Sequence, residues 1–138
     1  MIRFIPPWIV VGVACGAVYG VHAQARLDAS ALIGTWAAAE ASGHVSTLKF
    51  SSGGHFEVEF LGDERPEVSG RYKVDNELII TDEGGVAACL APEYGPGRYS
   101  FSIRAEGLTL DAIKDDCDGR VMLLERRGAL AGTWTKKK

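Results

Sequence analysis

Histidine is scarce in this chain, with three in 138 residues. His22 lies in an apolar N-terminal segment, and His44 and His55 sit beside glycines at expected hairpin ends. Acid–base or nucleophilic catalysis needs positioned partners, and two solvated loop histidines supply none. With Asp63 and Glu64 they make a group without metal-ligand spacing. Asp111, Asp115, Asp116 and Asp118 are crowded, but the EF-hand pattern is missing and they read as a solvated turn. Neither a Gly-x-Ser-x-Gly elbow nor a phosphate-binding loop occurs. The chain therefore reads as a non-enzyme with no metal and no cofactor.

Basic clusters are lacking too. Apart from three lysines at 136–138, read as a soluble end, nothing basic is concentrated, which argues against a nucleic-acid partner. A long unbroken apolar run is also missing. The opening "MIRFIPPWIVVGVACGAVYGVHAQA" has one basic residue, Arg3, followed by an apolar stretch that Pro and Gly interrupt. That stretch falls short of the roughly 20 residues a bilayer span needs. It reads as a signal peptide over 1–23, cleaved after Ala23 or Ala25. The expected destination is the periplasm or the exterior, with no membrane span in the mature chain. Lipid anchoring at Cys15 is not expected, because Gly12 stands where a branched apolar residue is usual.

Cleavage after Ala23 leaves 14 basic against 18 acidic residues and removes one of three cysteines. The remaining pair, Cys89 and Cys117, reads as one disulfide in an exported chain. Two unrelated thiols are the alternative.

What the sequence has in quantity is alternation. Leu48 and Phe50 alternate with polar residues, and so do Phe56, Val58 and Phe60 beyond a "SSGG" turn. Tyr72 and Val74 lead through Asp75-Asn76 to Leu78 and Ile80; Asp and Asn tolerate the left-handed backbone of tight turns. Tyr99, Phe101 and Ile103 lead through Glu106-Gly107 to Leu108 and Leu110. This predicts eight or nine strands, near 32–40, 46–52, 55–62, 66–74, 77–82, 98–105, 108–114, 120–127 and 131–136. No segment shows a clear helical stripe. Short connections and one dry face per hairpin point to an all-β fold, a closed or nearly closed antiparallel up-and-down barrel spanning 31–136. A two-sheet sandwich is the alternative.

One phrase occurs twice, as "ALIGTW" over 31–36 and "ALAGTW" over 129–134. In a closed meander the first and last strands are neighbours. Trp36 and Trp134 would then pack at one end, with Gly34 and Gly132 allowing close backbone approach. Tandem duplication is the other reading, and tryptophans on non-neighbouring strands would favour it.

Gly34-Thr35-Trp36 ahead of alternating hairpins resembles the Gly-x-Trp signature of the lipocalin, or calycin, superfamily. That resemblance implies a Trp packed across the closed end and covered by a basic residue from the last strand, here Arg126 or Arg127, less readily Arg120. With Gly70-Arg71-Tyr72, the Cys pair and Trp134, the layout is similar to small bacterial secreted lipocalin-like proteins of uncharacterised function. A Thr-Asp-Tyr type motif and a C-terminal helix, usual in longer lipocalins, are missing.

A barrel of eight strands is just wide enough either to fill its interior with side chains or to hold one small ligand. If there is a cavity, a small apolar ligand is expected to enter between hairpin tips at the end opposite Trp36, with the inward-facing Phe56, Tyr72 and Phe101 touching it. If the interior is filled, the chain reads as a protein-interaction module, an envelope accessory protein or protease-inhibitor-like protein, with an apolar patch around the 86–97 loop.

Overall fold

The computed structural model describes residues 28–126 and 132–138. The expected signal peptide, Cys15, Arg127 and the first half of the second phrase lie outside the described residues.

Eight antiparallel strands close on themselves in sequence order. They are β1 Gly34–Ala39, β2 Val45–Phe50, β3 His55–Glu59, β4 Val68–Val74, β5 Leu78–Gly84, β6 Gly97–Arg104, β7 Gly107–Lys114 and β8 Trp134–Lys136. Closure runs through β8, which pairs Trp36 with Lys136 and Ala37 with Thr135 on one side. On its other side it pairs Gly107 with Thr135 and Leu108 with Trp134. The barrel is thus the fold, not the sandwich, and the two tryptophans stand on adjacent strands. That adjacency answers the doubled phrase in favour of closure.

The alternating residues face inward as expected. Of those predicted for the dry face, only Phe60, Val74 and Ile103 are partly exposed, and these three still pack on the core. Asn76 takes a φ of 58° in its turn. Gly70, in the Gly-x-Tyr motif, has no room for a side chain, because a Cβ there would lie 2.0 Å from the Thr81 carbonyl oxygen of the neighbouring strand. Gly34 takes φ +132°, whereas Gly132 faces open space and supports no close approach.

Two expectations are corrected. The strand expected near 120–127 is not there over the described residues 120–126; Asp118–Leu124 is a helix, α2, burying Arg120, Val121 and Leu124 on one face. The apolar run Val121 to Leu124 has no period, so it suits either element. The sheet decides: β7 already pairs with β8, leaving no free edge for a ninth strand. A second helical turn, α1 Ala29–Leu32, precedes β1, with the Asp28 carboxylate accepting from the Ser30 N–H at 3.0 Å. Among the described residues no helix is long and apolar enough to cross a membrane.

The two barrel ends differ. Hairpins at 51–54, 75–77 and 105–106 close the end where β1 starts. The longer connections 40–44, 60–67 and 85–96 crowd the opposite end, which also carries α2.

Candidate functional site

The long-loop end holds a cavity of about 400 Å³. Its walls are strand residues, chiefly Phe56, Val58 and Val68, with Phe60 just past β3. Its roof is α2, through Met122, Leu123 and Leu124. Four charged side chains also reach it: Glu40, Asp82, Arg120 and Arg126. The size falls within the roughly 300–1,000 Å³ of small-molecule sites, which are typically apolar with a few placed polar groups.

The polar side of the roof is a buried ion network. The Arg120 guanidinium donates to Asp115 through Nε at 2.6 Å and Nη2 at 2.7 Å, and Nη2 also donates to the Gly95 carbonyl at 2.9 Å. Asp115 accepts in addition from the Tyr99 hydroxyl and from the Cys117 amide. Asp82 stands 3.2 Å from Arg120 Nη1, and its other oxygen accepts from the Cys89 amide at 2.7 Å. Burial pushes the Asp115 carboxyl up, but hydrogen bonds from Arg120, Tyr99 and Cys117 outweigh it, so the net shift is downward. Burial pulls Arg120 down, yet its carboxylate partners carry it above its ordinary range. The Tyr99 hydroxyl is raised by burial and by its bond to Asp115.

The Cys89–Cys117 disulfide fastens the 85–96 loop to the N-cap of α2. Ala87 of that loop and Gly119 of α2 both line the cavity. A disulfide persists in an oxidising compartment. Reducing it is expected to lower unfolding free energy by about 3 kcal/mol, through loss of the constraint on a 28-position loop. Urea unfolding with and without reductant measures this. An unchanged midpoint would mean that the Asp115–Arg120 network alone holds the loop.

The two tryptophans are treated alike. Each indole N–H donates to the last carbonyl of a helix: Trp36 to Leu32 at 2.9 Å, Trp134 to Leu124 at 3.1 Å. Each ring carries a cation. Lys136 lies over Trp36 at 4.6 Å, and Arg126 lies over Trp134 at 4.9 Å. The basic residue over Trp36 is therefore Lys136 of β8 rather than Arg126, and Arg120 belongs to the ion network. Arg126 also donates to Glu40 and to the Ala39 carbonyl. The Glu40 carboxyl is lowered mainly by that Arg126 bond.

Of the three side chains expected to touch a ligand, Phe56 lines the cavity. Tyr72 does not: it meets Phe50 edge-on at 4.9 Å, and its hydroxyl donates to the Ser51 carbonyl at the tight-turn end. Phe101 is buried in the core, opposite Leu110, and is no part of the cavity wall. Neither His44 nor His55 lines the cavity. Carboxylate oxygens of Glu59, Asp63 and Glu67 lie within 4.8 Å of one another. Backbone amides of the 60–67 loop and its border already bond them: Phe60 and Leu61 to Glu67, Gly62 to Glu59 and Arg65 to Asp63. These carboxylates shape that loop.

Sequence reading missed the pairing of Asp82, Asp115 and Arg120. The one available signal was an Asp and an Arg five apart beside a cysteine. Compared with protein-family models, with curated proteins and with solved structures, the chain shows no match.

Proposed function

We propose that this chain is an exported, lipocalin-like binding protein that carries one small apolar molecule in its barrel and performs no catalysis. An eight-stranded antiparallel barrel is the architecture such proteins use. The observation that carries the reading is the cavity of about 400 Å³ between β3, β4 and α2, at the end away from the start of β1. The disulfide fits an oxidising compartment such as the periplasm. The protein-interaction alternative draws on Val86, which is 89% exposed, and on Leu90 in the same loop. Its other requirement, a filled interior, does not fit the cavity.

Phenylnaphthylamine, a neutral fluorophore that brightens in apolar surroundings, tests the reading. One molecule is expected to bind per chain. Leu123→Trp places a larger side chain in the cavity and is expected to weaken binding by about tenfold or more. No brightening with the unaltered protein, or equal binding by the variant, would remove the cavity from consideration.

A further inference from the structure

We infer that the molecule held in this cavity carries a cationic head, as a protonated amine does, and that this head sits at the cavity mouth on the open carboxylate oxygen of Glu40. This rests on the apolar-ligand reading above and adds the chemistry of the head.

The four charged side chains of the wall are not equally reachable. Asp82 is 1% exposed, Arg126 3% and Arg120 4%. Asp82 and Arg120 answer each other in the buried network and offer a ligand nothing. Glu40 is 31% exposed and still lines the cavity, so it stands where the cavity meets solvent. Its Oε1 accepts from the Ser46 hydroxyl at 2.9 Å and from Arg126. Its Oε2 makes no hydrogen bond and is open to solvent. Arg126 holds this carboxyl below its ordinary range, so at neutral pH it is ionised and only accepts.

The sign of the surrounding charge selects the head. Three carboxylates, Glu40, Asp82 and Asp115, stand against two guanidiniums, Arg120 and Arg126. The 60–67 loop adds to the excess. Phe60 at its start and Val68 just past its end line the cavity. It also meets the connection that follows Glu40, because a Cβ at Gly62 would lie 2.7 Å from His44 Cε1. Carboxylates of Glu59, Asp63 and Glu67 crowd together there, and among the described residues none of the three is ion-paired. An opening between low-dielectric walls focuses such a field. A fatty carboxylate would enter against it, and an alcohol would gain little from it. An ammonium is drawn to the mouth and donates to Glu40 Oε2. It keeps part of its hydration there, so it avoids the full cost of burying a charge. The inner wall, Phe56, Val58, Val68 and Leu124, takes the apolar body.

Octylamine, octanol and octanoate share one chain and differ in the head. Calorimetric titration of the disulfide-bonded protein at neutral pH and low salt is expected to rank them in that order. Octylamine should bind about tenfold tighter than octanol and displace phenylnaphthylamine, with octanoate weakest. Added salt is expected to narrow the lead of the amine, because the mouth is wet. In Glu40→Gln that lead is expected to fall to about twofold or less. Asp63→Asn, an exposed change that keeps an oxygen for the Arg65 amide, is expected to narrow it by a smaller factor and decides if the first variant does not fold. Octanol or octanoate binding as tightly as octylamine, or a lead untouched by the variant that folds, would overturn the head-group inference while phenylnaphthylamine binding keeps the cavity reading. If none of the four probes binds, the apolar-ligand reading falls with it.

Discussion

Arg120→Met is expected to lower the unfolding free energy at neutral pH by about 3–5 kcal/mol, as removal of one partner from a buried ion pair does. Met approximates the volume of the aliphatic stem but leaves Asp115 and Asp82, both buried beside it, without their guanidinium. The Gly95 carbonyl loses its donor as well, so the 85–96 loop loses one tie to α2. The pH dependence separates a charge effect from a packing effect. In the unaltered protein Asp115 sits below its ordinary value. It therefore contributes stability above the unfolded carboxylate pKa of about 3.9, and that contribution is lost as pH falls through the lower folded value. In the variant the same carboxyl is buried without its cation, and its pKa moves up. The variant then gains stability on acidification where the parent loses it, and the gap between them narrows toward low pH. Urea unfolding across that range measures both curves. A gap below about 1 kcal/mol, or one that stays constant with pH, would show that the network is not held by charge.

This network marks where sequence reading stopped. The barrel was legible because a sheet with one dry face writes its period directly. Phe56, Val58 and Phe60 against Glu57 and Glu59 admit little else, and β3 carries Phe56 and Val58 as read, ending at Glu59 one residue short of Phe60. Closure was legible too, from Gly34-Thr35-Trp36 and Trp134 at opposite ends of the chain. The helix α2 was not, because Val121-Met122-Leu123-Leu124 has no period and only the occupied β7 edge excludes a strand there. The cation over Trp36 was hidden in the lysine tail: Lys136 lies at the end of the expected last strand, but the tail reads as a soluble end and the arginines stood as the expected cover. Asp82, Asp115 and Arg120 come from β5, from the turn after β7 and from α2, so their meeting depends on how the barrel closes and not on local pattern. The cavity is harder still, since it is the volume left after packing. Alternation told which residues face inward, yet not that Phe56 borders empty space while Tyr72 and Phe101 fill theirs.

Trp134→Ala is expected to cost about 3–5 kcal/mol, the range for removing a large buried aromatic side chain. Trp134 is fully buried, and its strand β8 is only three residues long. It joins three parts of the fold at once: it pairs with Leu108 of β7, donates to the last carbonyl of α2 and lies under the Arg126 guanidinium. Truncation leaves a void, an unsatisfied helix-end carbonyl and a buried cation without its ring. Trp134→Phe separates these. It keeps a ring beneath Arg126 but removes the indole donor, and a loss of about 1–3 kcal/mol is expected from the unpaired Leu124 carbonyl. The seam gives the second readout. Because β8 alone bridges β1 and β7, loosening it bares two sheet edges, a known route to aggregation. Amide hydrogen exchange should therefore accelerate at Ala37 and Lys136 in the alanine variant before the β4–β5 hairpin responds. Uniform acceleration around the barrel would mean that Trp134 supplies bulk to a single cooperative core. Selective loss at the seam would mean that closure itself hangs on the second copy of the repeated phrase.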